Sequence, residues 1–329
     1  MSKCGGAYLV PTTFFSDKYS KGNFREPAFW EKERSSWGEV VAAFPLEIHR
    51  GSKRHSSVIK VTRDGLMAAE VSPQARTDDE AHDIMVAHLS SFLGLLYLGG
   101  LNFLSPSTPL AHVGVDDGGL NLSGVCGDDF NPPDFKRSLY RYQTPFRPGT
   151  SLVDFDWPTM RIVPPAELLA AERTGREIVA GFGSQTDLHV LAFESFGCYR
   201  LGKVKESLLL GWAFVEFLLA SLWEKHILYS TKGQRKDRLE DHRTYTAAVR
   251  IEVLFQTKVL DEKLYDTLNT LRKARNDLIH KGLACGLEDA KQVFCVTSEL
   301  LRLATGLHMK VPSLSMTRSC CWVEKAARS

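Results

Sequence analysis

The 329-residue chain has almost no net charge, since 41 lysines and arginines against 39 acids leave +2. Bulk charge therefore advertises no polyanionic partner, and a nucleic acid would have to be met by a local patch. Metal-ligand spacing is missing too. The seven cysteines, at 4, 126, 198, 285, 295, 320 and 321, include no CxxC pair and no paired CxxC/HxxxH spacing. An odd number of cysteines without that spacing points to a reduced, cytoplasmic chain with no zinc site. The N-terminal MSKCGGAYLVPTTFF lacks an apolar stretch long enough for a secretory signal. His82 and His88 do not make an HExxH pair, and Ser184, Ser195 and Ser207 have no GxSxG context.

Long uninterrupted apolar runs are also absent. The uncharged stretch 86–115 is broken by Ser90, Ser91, Gly99, Gly100, Asn102, Pro106 and Pro109, and the stretch Ser207 to Trp223 is interrupted by Glu216. Neither supplies the roughly 20 clean apolar residues of a membrane span, so both read as buried core helices of a protein without a membrane partner. The Gly/Asp-rich stretch from His112 to Asp129 offers four carboxylates, but it lacks the alternating oxygen ligands and terminal Glu of a calcium loop. It also holds no GxxxxGK[ST] or GxGxxG phosphate loop, so turn chemistry is expected there and no metal or cofactor.

What is present divides into two halves. Ser57 to Val71 reads as two short strands about Asp64-Gly65, a dipeptide suited to a tight hairpin turn. Asp78 and Asp79 are placed to cap a helix that runs to about Leu98 and ends at Gly99-Gly100. Residues 105–160 are crowded with Gly, Pro and Asp and read as irregular. Beyond Pro158 to Pro165 the pattern turns helical, over 166–180, 188–200, 206–226, 239–260, 261–281 and 288–307. The expected fold is an α+β domain over 1–160, an all-α bundle over 161–310 and a C-terminal tail over 311–329.

The segment 261–282 carries the most information. At about 100° per residue, Leu264, Leu268, Leu271 and Leu278 form one apolar stripe, and Arg275 falls inside it. A guanidinium in a core stripe needs a partner, because burying a charge alone costs several kcal/mol, on the order of 3–5. Glu216 is the only charge in the all-round apolar SLLLGWAFVEFLLASLW, so a Glu216–Arg275 ion pair would resolve both burials. Otherwise Arg275 snorkels outward and Glu216 is protonated or wetted. Asn276 and His280, four residues apart, share another face, flanked by Arg272 and Lys273.

The string Arg275-Asn276-Asp277-Leu278-Ile279-His280 resembles the R-N-x-x-x-H form of the R-x(4–6)-H signature of HEPN domains. It follows a central helix with Gly211-Trp212 and Glu216 and precedes a helix opening at Glu288-Asp289, the order such domains display. The resemblance spans roughly 185–307 and is strongest to the prokaryotic HEPN domains joined to an N-terminal module in phage-defence and toxin proteins. It implies a metal-independent endoribonuclease that works as a homodimer, two protomers forming one composite cleft. The family also includes non-catalytic nucleotide-binding and protein-interaction modules, and for these Arg275 and His280 would only hold ligand phosphates.

The residue types suit that chemistry. A ribose 2′-OH attacking its own phosphate needs a base, an acid for the leaving 5′ oxygen and a cation against the phosphorane charge. His280 is assigned to acid/base work, Arg275 to the phosphate, and Asn276 to orienting the phosphate or His280. A second histidine would come from a second chain, or its role from Lys273 or His226. Lys232, Arg235, Lys236 and Arg238 form a basic loop that is a candidate RNA contact. Residues 1–160 would sense a trigger or restrain the nuclease, which leaves room for a regulatory partner protein.

Overall fold

The computed structural model describes residues 4–10, 13–15, 39–50, 53–63, 65–70, 75, 77–101, 105–106, 161–182, 188–200, 202–241, 243–307 and 309. The Gly/Asp-rich stretch 112–129 and the tail 311–329 lie outside them. The chain divides into two compact units, one from 1–97 and 103–175, the other from 98–102 and 176–329.

The first unit is built on a five-stranded sheet, ordered β3-β4-β5-β1-β6. Its strands are β1 (Cys4–Val10), β3 (Val40–Arg50), β4 (Lys53–Thr62), β5 (Leu66–Glu70) and β6 (Ser105–Pro106), and every pairing is antiparallel. Two further short strands, β2 (Thr13–Phe15) and β7 (Arg161–Val163), pair in parallel. β3 alternates cleanly, with Ala42, Phe44, Leu46 and Ile48 buried and the residues between them exposed, the period of a half-covered strand. Its Pro45 is tolerated because β3 lies at the sheet edge. The hairpin expected about residues 64–65 forms between β4 and β5, in register Val61 with Met67, and Gly65 takes φ 82° at the turn.

Helix α1 (Asp78–Leu98) covers the sheet, the ring of Phe92 lying 4.9 Å from that of Phe44. Its cap is Thr77 rather than Asp78 or Asp79: the Thr77 hydroxyl oxygen accepts from the Glu80 amide at 3.1 Å. Helix α2 (Pro165–Ala180) begins where the sequence becomes helical, but the division between the units falls after Gly175, inside that helix, and not near 160. The reason is packing, since the backbone of α2 at Gly175 presses against the carbonyl of Leu95 in α1.

The second unit is helical. It holds α3 (Leu188–Arg200), α4 (Val204–Trp223) continued by a π turn (Glu224–Leu228), α5 (Gln234–Glu240), α6 (Ala247–Gln256), α7 (Glu262–Lys281) and α8 (Leu287–Thr305). The layout is thus α+β followed by helices. The expected helix over 239–260 is two elements, because the Asp241 carboxylate takes the Arg243 amide at 3.0 Å and the Thr244 hydroxyl at 2.8 Å, making a side-chain turn between α5 and α6. The expected basic loop is likewise mostly helix, α5.

α4 is the centre. Leu208, Trp212, Phe214, Val215, Leu218, Leu219, Leu222 and Trp223 are all buried. α4 and α8 run in the same direction, with Gly211 against Val293 near their beginnings and Lys225 donating to the Leu303 and Ala304 carbonyls, at 3.3 and 2.9 Å, near their ends. α3 closes on α4 through the Ser195 hydroxyl, which donates to the Ser207 carbonyl at 2.8 Å. Phe196 and Tyr199 of α3 meet Phe294 of α8 edge to face at 5.7 and 5.5 Å. By length and composition α1 and α4 would each suffice to cross a membrane, yet most residues of both lie buried within the protein, as in core helices.

Gly175 offers a test of the packing. An alanine inside a helix ordinarily gains about 1 kcal/mol over glycine. Here a Cβ would collide with backbone, the Leu95 carbonyl, which no side-chain rotation relieves. Gly175→Ala is expected to destabilise the first unit by on the order of 1–2 kcal/mol, as overpacking does; a melting temperature at or above wild type would refute the close approach.

Candidate functional site

Helix α7 is defined at both ends by its own sequence. The Asp261 carboxylate accepts the Leu264 amide at 2.8 Å as N-cap. At the other end Gly282 takes the left-handed conformation, φ 65°, and donates its amide to the Leu278 carbonyl at 3.2 Å while Leu283 reaches Asp277 at 3.2 Å. The helix end is therefore closed by backbone groups, and the side chains of Asn276 and His280 are not needed to cap it.

The apolar stripe holds for Leu264, Leu268 and Leu271, which are buried. It then lifts away from the core. Leu278 and Arg275 are half-buried, and Ile279 and His280 are exposed. Arg275 so escapes the burial that would have demanded a counter-charge. Its Nη1 donates to the side-chain oxygen Oδ1 of Asn276 at 3.0 Å. Asn276 thus orients the guanidinium, while the His280 ring projects one turn further on. Of the flanking cations, Arg272 is half-buried and its Nε donates to the side-chain oxygen Oδ1 of Asn269 at 3.4 Å, and Lys273 is exposed. Lys281 binds Asp277 one turn back at 2.7 Å, and that lysine holds the Asp277 carboxyl below its usual range.

The expected Glu216–Arg275 ion pair does not form: among the described residues no ion pair joins them. Glu216 instead accepts the indole N–H of Trp212, one turn earlier on α4, at 2.7 Å. Its charge also acts on a different arginine. Arg250 of α6 is buried, its guanidinium held below the usual pKa by desolvation and partly restored by the Glu216 charge. The arginine on which the Glu216 charge acts is thus Arg250 and not the expected Arg275. The signal that would have found it is the position of Arg250 on the apolar face of α6, beside the buried Leu254 and Ile251.

The other sequence candidates are spread along α4. The loop after α7 lies beside the start of α4, since Cys285 sits in the fields of Lys205 and Glu206. The π turn and α5 lie at the far end. Residues 204–228 span roughly 35 Å at 1.5 Å per residue, so within one chain His280 and the 232–238 segment sit at opposite ends of α4. His226 belongs to that far end too, its imidazole held below the usual pKa by burial and by Lys225. It cannot be the second histidine of a cleft at His280 in the same chain.

The reassigned pair predicts a split in stability. Glu216→Ala removes the acceptor of Trp212 and the counter-charge of a buried arginine, and is expected to cost about 2–4 kcal/mol. Arg275→Ala, on a partly exposed turn, should stay within about 0.5 kcal/mol. Double-mutant unfolding cycles check this: coupling between positions 216 and 275 in place of 216 and 250 would reverse the assignment.

Comparison of the chain with protein families, curated proteins and solved structures finds no match.

Proposed function

We propose that the protein is a metal-independent endoribonuclease of the HEPN type, a cytoplasmic toxin-like or antiviral effector that cuts RNA at a composite site between two copies of the chain. The observation that carries the reading is that the last turns of α7 carry a guanidinium steered by Asn276 and, four residues after that asparagine, an exposed imidazole. Arg275 meets the scissile phosphate and the charge that grows on it. His280 moves the proton, to or from the 2′ or 5′ oxygen according to which protomer supplies it.

The dimer follows from the count of groups and from the surface. One chain brings one such histidine, and two apolar side chains close to it along the chain, Ile279 and Leu283, are 47% and 53% exposed. Large apolar groups beside a reactive imidazole suit burial against a second copy, which would bring its own His280 into the same cleft.

With magnesium chelated, wild-type protein is expected to cut RNA to 2′,3′-cyclic phosphate and 5′-hydroxyl ends. His280→Ala should lose on the order of 10²- to 10⁴-fold, and Arg275→Ala a comparable share. Strict dependence on added metal would remove the mechanism, and a near-normal His280→Ala rate would remove the residue assignment. Under subunit exchange, excess His280→Ala chains should depress wild-type activity below simple dilution; activity that tracks the wild-type fraction means that each chain works alone.

A further inference from the structure

The most exposed large aromatic among the described residues is at the other end of α4. Tyr229 is 88% exposed. Its position follows from the π turn. In an α-helix residue 229 would lie on the row of Leu222, seven residues earlier, and point inward. In the π turn each residue instead stacks on the one five before it. Leu228 thus follows Trp223 and is buried, whereas Tyr229 follows Glu224, whose carbonyl accepts its amide at 2.9 Å, and stands in solvent.

Lys232, Arg235 and Arg238 follow that ring within nine residues of sequence. The chain turns through Thr231, Lys232 and Gly233 into α5, and α5 folds back on the end of α4, where the Trp223 indole donates to the Leu239 carbonyl at 3.1 Å. Around α5, Lys236, Asp237 and Glu240 fall on one side, at about 100–200° from Arg235, and Lys236 and Glu240 pair at 3.5 Å. Arg235 and Arg238, three residues apart, occupy the opposite side. Lys232, Arg235 and Arg238 are exposed, and among the described residues none has a carboxylate partner.

We infer that Tyr229, Lys232, Arg235 and Arg238 form a binding site for single-stranded RNA, in which a base stacks on Tyr229 and the three cations take the adjoining phosphates. The site deepens the ribonuclease reading and rests on it: this end holds the strand, and the His280 end, roughly 35 Å away along α4, cuts it. An exposed ring can stack only on an unpaired base, which favours a single strand over a duplex. A membrane surface fits less well, because α5 (QRKDRLE) has no apolar face to insert.

The test uses the full chain carrying His280→Ala, so that RNA is bound without being cut, and an unstructured fluorescent RNA of about 20 nucleotides, long enough to bridge phosphates and a stacked base. Tyr229→Ala should weaken binding on the order of ten- to a hundredfold, and Tyr229→Trp should retain it. Arg235→Ala with Arg238→Ala should lower the slope of log affinity against log salt by about 0.7 per lost contact. Both sites are exposed, so unchanged melting temperatures confirm that folding is not at issue. Undiminished affinity in Tyr229→Ala overturns the site, as does Tyr229-dependent binding to anionic vesicles in place of RNA. Wild-type cleavage in EDTA is read separately: cleavage with unaltered binding in the variants removes this site and leaves the nuclease, whereas Tyr229-dependent RNA binding without cleavage keeps the site and removes the nuclease.

Discussion

Helix α4 carries apolar side chains all round, and a helix of that kind has a stable place only between others. Much of the second unit follows from that demand. Gly211 lets Val293 and Ser195 approach where any side chain would hold them off, so α8 and α3 both come close along one stretch of α4. The one charge within the apolar stretch 207–223, Glu216, is tied to Trp212 of its own helix and acts on Arg250. α7 contributes three buried leucines and then departs from the core. Its last turns stand outside that packing, which is finished before they begin.

This division of α7 bears on how the motif residues can act. Arg275 needs no buried counter-charge, so it remains available to a phosphate, and its only polar side-chain contact among the described residues is neutral Asn276. Under the proposed function, a carboxylate there would compete with an RNA phosphate for the guanidinium. The nearest one along the helix, Asp277, is engaged by Lys281.

Much of this was legible in the sequence where the determinants are local. Asp261 and Gly282 bracket α7, Asp64-Gly65 marks the β4–β5 hairpin, and the uniform apolarity of 207–223 announces a central helix. The readings that failed depend on geometry with no compositional mark. A π turn alters register without altering residue type, so the reversal of Leu228 and Tyr229 is invisible in the sequence. The side-chain turn at Asp241 splits an apparently continuous helix. The partner of Glu216 was assigned from the wheel of α7, whereas α6, whose start was misread, supplies the arginine. The alternation of β3 is plain once seen, but Pro45 at its middle disguises a strand that only an edge position permits.

The common direction of α4 and α8 has a kinetic side. Two adjacent helices that run the same way cannot be joined by a short turn, and the chain between them must travel out and return. Lys225 and Ala304, which meet at one end of the pair, are 79 residues apart, whereas Ser195 and Ser207, which join α3 to α4, are 12 apart. Closing the longer loop costs more chain entropy and is compensated only when α8 arrives. During synthesis the α3–α4 hairpin is thus complete while one side of α4 is still bare, and the nascent chain carries that apolar strip until α8 has been made.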